Sequence, residues 1–415
     1  MGKIKSIGAY QVFDSRGNPT LEVEVVLEGG ASGRAIVPSG ASTGRFEALE
    51  LRDEDPALFG GKGVLRAADN VNSRLGPALA GMDSADQLAI DKMLIALDGS
   101  LDKSKLGANA LLGVSLGCAV ASANQKGVPL FAHLGAGRTI PTPMIQMIGG
   151  GAHAAGVTDL QDYLVIPTSA KSFAEGFEVC ADVYSAIRSI YRKSGRIPAV
   201  ADEGGFWPEG FSSNEQGLDI ISEAMIKAGY KPMEDVAIAI DAAASEFYDE
   251  NQKMYNLKLE KRSLDAAGMV DMYEGWSKFY PLISIEDGCA ETDWEGSALL
   301  TKRLGQKLQI IGDDLFTTNV SRIKQGVEQG VCNAVLIKMN QIGTLSETFE
   351  AIEFTKKNGM KPVISARSGE TEDVSIVHLA IASDAGQIKV GSVTRGERTA
   401  KWNELIRMER LLGSL

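Results

Sequence analysis

The stretch "AVLIKMNQIGTLSETFEAIEFTKKNGMKPVISARSG" (residues 334–369) contains a complete structural unit. Ala334 to Ile337 are apolar without alternation, as in a strand buried on both faces, and Lys338 follows abruptly. Leu345, Phe349 and Ile352 then recur at helical spacing. Thr344 and Glu347 have the spacing of a capping box, and Gly359 is placed to stop the helix. A second apolar run, around Val363 and Ile364, leads into Arg367, Ser368, Glu370, Glu372 and Asp373, with a bare Ala366 beside the arginine. Strand, helix, strand in this order predicts a parallel sheet whose helices lie outside it.

The same unit repeats on either side. "YLVIP" (163–167), "IPAVADEGG" (197–205), "VAIAIDAAA" (236–244), "PLISIEDG" (281–288), "LQIIGDDLF" (308–316) and "QIKVGSV" (387–393) complete a set of eight candidate strands. From the third onward, amphipathic stretches separate them. Eight such units predict a closed (β/α)8 barrel, an α/β fold, rather than an open sheet. The first part of the chain reads differently. In "TLEVEVVLEGG" (20–30), Leu21, Val23 and Val25 alternate with Glu22 and Glu24, a period of two. Helix-like sequence follows from about residue 83 to 126. The glycines and prolines of "HLGAGRTIPTPM" (133–144) mark a boundary. The expected organisation is an N-terminal α+β capping domain over 1–135 and a barrel domain over 136–415.

Bulk composition narrows the function. The 415 residues are 44% hydrophobic, enough for a large core. A net charge of −12 argues against a nucleic-acid or anionic-membrane surface. Four scattered cysteines form neither a disulfide framework nor a zinc spacing. The opening "MGKIKSIGAY" lacks the apolar core of a signal peptide, and no apolar run is long enough to span a bilayer. A cytoplasmic metabolic protein is expected.

The chemistry is expected at the strand ends. Glu203, Asp241, Glu286, Asp313 with Asp314, Lys338, Arg367 and Lys389 each close an apolar run. In a parallel barrel those ends share one face, where barrel active sites lie. Asp241, Glu286 and Asp313 end consecutive strands with no His or Cys nearby. Such hard oxygen ligands suit magnesium or manganese rather than zinc. A lysine beside a dication and a second ammonium is expected to have a lowered pKa and to serve as a base. Base, acid and metal together suit proton abstraction next to a carboxylate.

At this point the chain resembles the enolase family along essentially its whole length. The resemblance rests on "DSRGNPT" (14–20), "PSGASTG" (38–44), "ADEGG" (201–205), "SEFY" (245–248), "SIEDG" (284–288), "GDDLF" (312–316), "IKMNQIG" (337–343), "RSGETED" (367–373) and "IKVGS" (388–392). It implies that Asp241, Glu286 and Asp313 hold a first Mg2+. Ser42, in a glycine-rich loop, helps bind a second once substrate arrives. Lys338 resembles the base that removes the C2 proton, and Glu203 the acid that protonates the departing C3 hydroxyl. Lys389 resembles the cation that pairs with the substrate carboxylate, and Arg367 and Ser368 the phosphate binders. A lysine base with one or two magnesium ions is a known pattern of enolase-superfamily sites. The family also implies a homodimer.

The chain departs from the family around the substrate. "SARSGE" places Ala366 where the family pattern has His, and "LQDY" places Asp162 after Gln161 where it has Glu. "GGAHAAG" keeps His153 but has Ala152 and Ala155 where acids are usual. Asp162 reaches about 1.5 Å less far than Glu, roughly one C–C bond. These changes describe the same proton chemistry with more room around phosphorus. They point to a specialised paralogue acting on a phosphorus-modified 2-phosphoglycerate analogue, such as a carboxyphosphonoenolpyruvate synthase. The alternatives are an ordinary enolase and a non-catalytic enolase-fold binding protein.

Overall fold

The computed structural model describes residues 2–41 and 43–413. Strands β1 (Ile4–Phe13), β2 (Pro19–Leu27) and β3 (Ser32–Ile36) form an antiparallel sheet in that order. Leu21, Val23 and Val25 are fully buried, as the alternation requires. Glu22 departs from the pattern. It is buried at the sheet surface because Tyr10 donates its hydroxyl to the carboxylate and Arg34 lies 3.6 Å away.

The helix Ala108–Lys126 covers this sheet closely, and its small residues allow the approach. A Cβ on Gly113 would come within 2.5 Å of Val23 Cγ2. On the sheet side, a Cβ on Gly33 would lie 2.2 Å from the backbone nitrogen of Ala121. The helical stretch expected over 83–126 is two helices, Gln87–Asp98 and Ala108–Lys126. Gly99 ends the first in the left-handed region at φ 64°. The Asp98 carboxylate then gathers the loop by accepting the amides of Ser100 (2.9 Å) and Leu106 (2.7 Å).

The barrel is closed and eight-stranded. Its strands are β4 (Thr142–Gly149), β5 (Asp162–Pro167), β6 (Val236–Asp241), β10 (Leu282–Glu286), β11 (Gln309–Gly312), β12 (Ala334–Ile337), β13 (Lys361–Ser365) and β14 (Gln387–Gly391). A small antiparallel sheet, β7 (Tyr248–Asp249), β8 (Met254–Leu257) and β9 (Arg262–Leu264), is inserted after β6. The helix expected after Thr344 spans Leu345–Lys357. The Thr344 side chain accepts the Glu347 amide at 3.3 Å. The Glu347 carboxylate takes the Thr344 hydroxyl (2.7 Å) and Lys103 Nζ (2.7 Å) instead of completing the box on the backbone. Among the described residues, no helix is long and apolar enough to cross a membrane.

Two expectations about the barrel fail. "IPAVADEGG" is not a strand. Residues 200–206 turn back on themselves and dock on the end of β4, with Phe206 N donating to Met147 O and Gly149 N to Phe206 O. The missing strand is "TPMIQMIG", β4, whose apolar run is broken by Pro143 and Gln146. Nor are all strands parallel, since β5 is antiparallel to both β4 and β6. A hairpin can join antiparallel neighbours, whereas a parallel pair needs a crossover, usually a helix. Residues 150–161 form such a direct link. The chain then returns to β6 through two packed helices, Phe173–Lys193 and Glu215–Lys227, and the segment between them carries Glu203.

Gly33→Ala is expected to destabilise the protein by about 1–3 kcal/mol, because backbone, not a yielding side chain, blocks the added methyl. Gly8→Ala meets nothing beyond Asn72 Oδ1 at 3.9 Å and should change stability by less than about 0.5 kcal/mol. Urea unfolding midpoints of the two variants check this.

Candidate active site

The barrel mouth gathers groups from nearly every strand. Asp241 and Glu286 end β6 and β10 and face each other as register partners. Asp313 and Lys338 follow β11 and β12, Arg367 and Ser368 lie just beyond β13, and Lys389 lies within β14. Because β5 runs the other way, its first residue, Asp162, reaches the mouth and pairs in register with Asp241. A cavity of about 20 Å3 is lined by His153, Gln161, Asp162, Glu203, Asp241, Lys338, Ala366, Arg367, Ser368 and Lys389. Glu286 and Asp313 are buried beside it. Ser42 lies outside the described residues.

Buried charge is paired throughout. Lys389 Nζ is 2.8 Å from Asp241 Oδ2, 2.8 Å from both Glu286 oxygens and 3.4 Å from Asp162 Oδ2. Burial pushes the Lys389 pKa down, but these carboxylates outweigh it and hold it well above the ordinary lysine value. Burial, then the neighbouring Asp241 charge, push Glu286 well above the carboxylate range. Lys338 donates to Asp313 Oδ2, and Gln341 Nε2 donates to Asp313 Oδ1 at 2.9 Å. The lowered pKa expected for Lys338 is not what this arrangement produces. Burial acts downward, but the Asp313 carboxylate overrides it and the pKa is raised. A downward shift needs a dication to take up the Asp313 charge.

The carboxylates are suited to such an ion. Asp241, Glu286 and Asp313 supply only hard oxygens and are all buried at the strand ends, the donor chemistry that suits Mg2+. The tightest acid groupings among the described residues are different ones: Asp287 with Asp313 and Asp314, and His153 with Asp162 and Glu203. Asp287 was not anticipated from sequence. It has φ 42°, accepts the amides of Asp313 and Asp314 at 2.8 Å each, and so fixes the turn that aims Asp313. Burial and the Asp313 charge push it up to about 8.

On the opposite wall, Asp162 Oδ1 is engaged by His153 Nδ1 at 2.9 Å and accepts from Gln146 Nε2. His153 Nε2 points to Glu203 Oε1 at 3.8 Å. Burial pushes His153 down, yet Asp162 and Glu203 outweigh it and raise it to about 9. Burial alone would raise Asp162, but His153 and Lys389 hold it below the ordinary carboxylate range. Gln146 also accepts the Gly205 amide at 2.9 Å, which ties the Glu203 loop to β4. Gln146 was missed in sequence. Its signal was a polar residue inside an otherwise apolar run.

Arg367 is gripped by a residue the sequence reading passed over. Its Nη1 and Nη2 donate to Glu47 Oε2 (3.0 Å) and Oε1 (3.1 Å), and Nη1 to Asn340 Oδ1 (2.9 Å). Ser368 Oγ accepts the Ala41 amide at 2.7 Å. The fully buried Arg398 satisfies the carbonyls of Arg367, Val390 and Ser368. Ala366 stands at the cavity wall between these arginine contacts and Lys389, whose carbonyl accepts its amide at 2.8 Å.

The His153 pKa is raised relative to the unfolded chain. The stability it contributes is therefore complete below about pH 6.5 and is lost as pH rises through about 9. His153→Gln is expected to cost on the order of 3 kcal/mol near pH 6 and little near pH 9.5. Denaturation of both proteins across that range checks the sign.

The comparisons with known proteins agree with this geometry. The family model "Enolase, N-terminal domain" matches residues 4–134, and "Enolase, C-terminal TIM barrel domain" matches residues 137–415. The chain is 58% identical over 414 residues to Enolase 1 of Desulfitobacterium hafniense (strain Y51), covering 99% of this chain and 94% of that protein. The family generally uses Mg2+ and acts on small phosphorylated substrates, and the acid clusters described above could hold the metal. With both domains matched end to end, the chain belongs to the enolase family of hydro-lyases.

Proposed function

We propose that this protein catalyses Mg2+-dependent loss of water from a small 2-hydroxy-acid-derived phosphorus ester or its phosphorus-modified analogue. The observation that carries the proposal is the convergence of Lys338 and Glu203, from distant parts of the chain, on one cavity that Arg367 also lines. Asp241, Glu286 and Asp313 would hold one Mg2+, and Ser42 would contribute to a second. A bound Mg2+ would supply positive charge that stabilises the extra negative charge gathered on the substrate carboxylate. Lys389 adds an ammonium on the same side.

Lys338, once its charge is relieved, accepts the C2 proton. The C–H electrons move onto the carboxylate. They return to form the C2–C3 double bond as the C3–O bond breaks, and Glu203 supplies the proton that lets the hydroxyl leave as water. His153, held by Asp162, faces Glu203 and keeps that acid aimed. Gln161 and Arg367 with Ser368 orient the two ends of the substrate. A homodimer, a cytoplasmic setting and a division of the chain at 135/136 accompany this reading.

Two substrates fit. Ala366 leaves the wall beside Arg367 without a side chain beyond Cβ, and Asp162 is drawn back onto His153 and Gln146. These features favour a substrate enlarged at phosphorus, as in carboxyphosphonoenolpyruvate formation. The identity to Enolase 1 favours 2-phosphoglycerate and its product phosphoenolpyruvate.

Lys338→Ala should abolish exchange of the C2 proton with solvent, whereas Glu203→Gln should retain exchange and lose elimination. NMR of substrate in heavy water reads both. Equal loss of exchange in the two variants would refute the assignment of base and acid. Ala366→His should lower kcat/KM for a phosphorus-carboxylated analogue about tenfold or more relative to 2-phosphoglycerate. A wild type that turns over only 2-phosphoglycerate identifies the ordinary enolase reaction.

A further inference from the structure

The loop 43–47 crosses the barrel mouth and is held at several points. The Arg45 amide donates to Glu291 Oε2 at 3.1 Å, the Arg322 guanidinium stacks 3.7 Å from the Phe46 ring centroid, and the Ala48 amide donates to Gln341 O at 2.8 Å. Its Glu47 turns inward, with a side chain only 8% exposed. Glu47 Oε1 accepts the Gly44 amide (2.9 Å), Gln341 Nε2 (3.3 Å) and Arg367 Nη2 (3.1 Å), while Oε2 takes Arg367 Nη1 (3.0 Å). Carboxylate and guanidinium thus meet fork to fork, the geometry an arginine otherwise offers to a phosphoryl group.

We infer that Glu47 is the positioning residue of the phosphorus subsite: it aims Arg367, offsets its charge, and joins that arginine to the loop across the mouth. The inference rests on the proposed role of Arg367 in binding the phosphorus group. An arriving anion has to share Arg367 with a carboxylate already seated on it. Glu47 therefore weakens the subsite's hold on any anion while fixing the direction from which it is held. A weaker hold favours release of an anionic product, and a fixed direction favours alignment of C2 with Lys338. A carboxylate serving only to stabilise the loop would have the opposite signature. Its loss would loosen Arg367 and weaken anion binding together with the fold.

Inorganic phosphate is the probe, titrated by calorimetry into the full chain in excess Mg2+. Glu47→Gln keeps the shape and removes the charge, and should bind phosphate about tenfold or more tightly than wild type, while kcat falls about tenfold. Glu47→Asp keeps the charge and should stay within about threefold of wild type in phosphate affinity. Amides of residues 43–48 should exchange faster with solvent in Glu47→Gln. Unchanged or weaker phosphate binding in folded Glu47→Gln, judged by its thermal midpoint, overturns the inference. Arg367→Lys distinguishes the two levels. Lost phosphate binding in that variant shows that the probe reports this subsite. Wild-type affinity there removes Arg367 as the phosphate binder and the role of Glu47 with it.

Discussion

One ammonium holds the centre of this molecule together. Lys389 Nζ lies among carboxylates from β5, β6 and β10, all of them buried. Unpaired, those acids could not remain charged inside a barrel, because burial and mutual repulsion both favour protonation. The Glu286 pKa, pushed well up even with Lys389 present, shows how close the site runs to that limit. Breaking a buried pair of this kind typically costs about 3–5 kcal/mol, so the arrangement constrains every strand that contributes to it.

The same rule runs outward from Lys389. Asp313 takes Lys338, Asp162 takes His153, and Glu47 takes Arg367. Arg398 and Lys401, both fully buried, pair with backbone carbonyls, and Lys401 also pairs with Glu370, fixing the turn that follows β13. The pairs span very different separations, from nine positions for His153 and Asp162 to 320 for Glu47 and Arg367. The mouth is a network of mutual neutralisation. The raised pKa of Lys338 reflects the Asp313 carboxylate beside it, which outweighs burial.

The reversed strand makes this network possible. Running antiparallel, β5 presents its first residue to the mouth, so Asp162 comes into register with Asp241 and within reach of Lys389. It also places the hairpin bearing His153 over the cavity, and it requires a two-helix return whose connecting segment carries Glu203. His153, Asp162 and Glu203 therefore meet as a consequence of one strand's direction.

Much of this could be read from the sequence. Apolar runs ending in charge predicted the barrel and most of its mouth, because burial on both faces leaves a local signature and a strand's end is the next residue. The helix after Thr344 and the alternation of Leu21, Val23 and Val25 were legible for the same local reason. The motifs that resemble enolase extended that reading to roles. What the sequence could not decide was how segments meet. The direction of β5, the identity of β4 despite Gln146 and Pro143, and the loop character of 200–206 depend on which neighbours satisfy the backbone, and that is settled only when the barrel closes. Glu47, Asp287, Gln146 and Arg398 carry no local mark of their partners, since contacts such as that of Glu47 with Arg367, 320 positions away, have no period or spacing. The pKa of Lys338 likewise follows its partners: in this arrangement the Asp313 carboxylate raises it. A pKa belongs to the groups that surround a side chain, and only the tertiary structure chooses them.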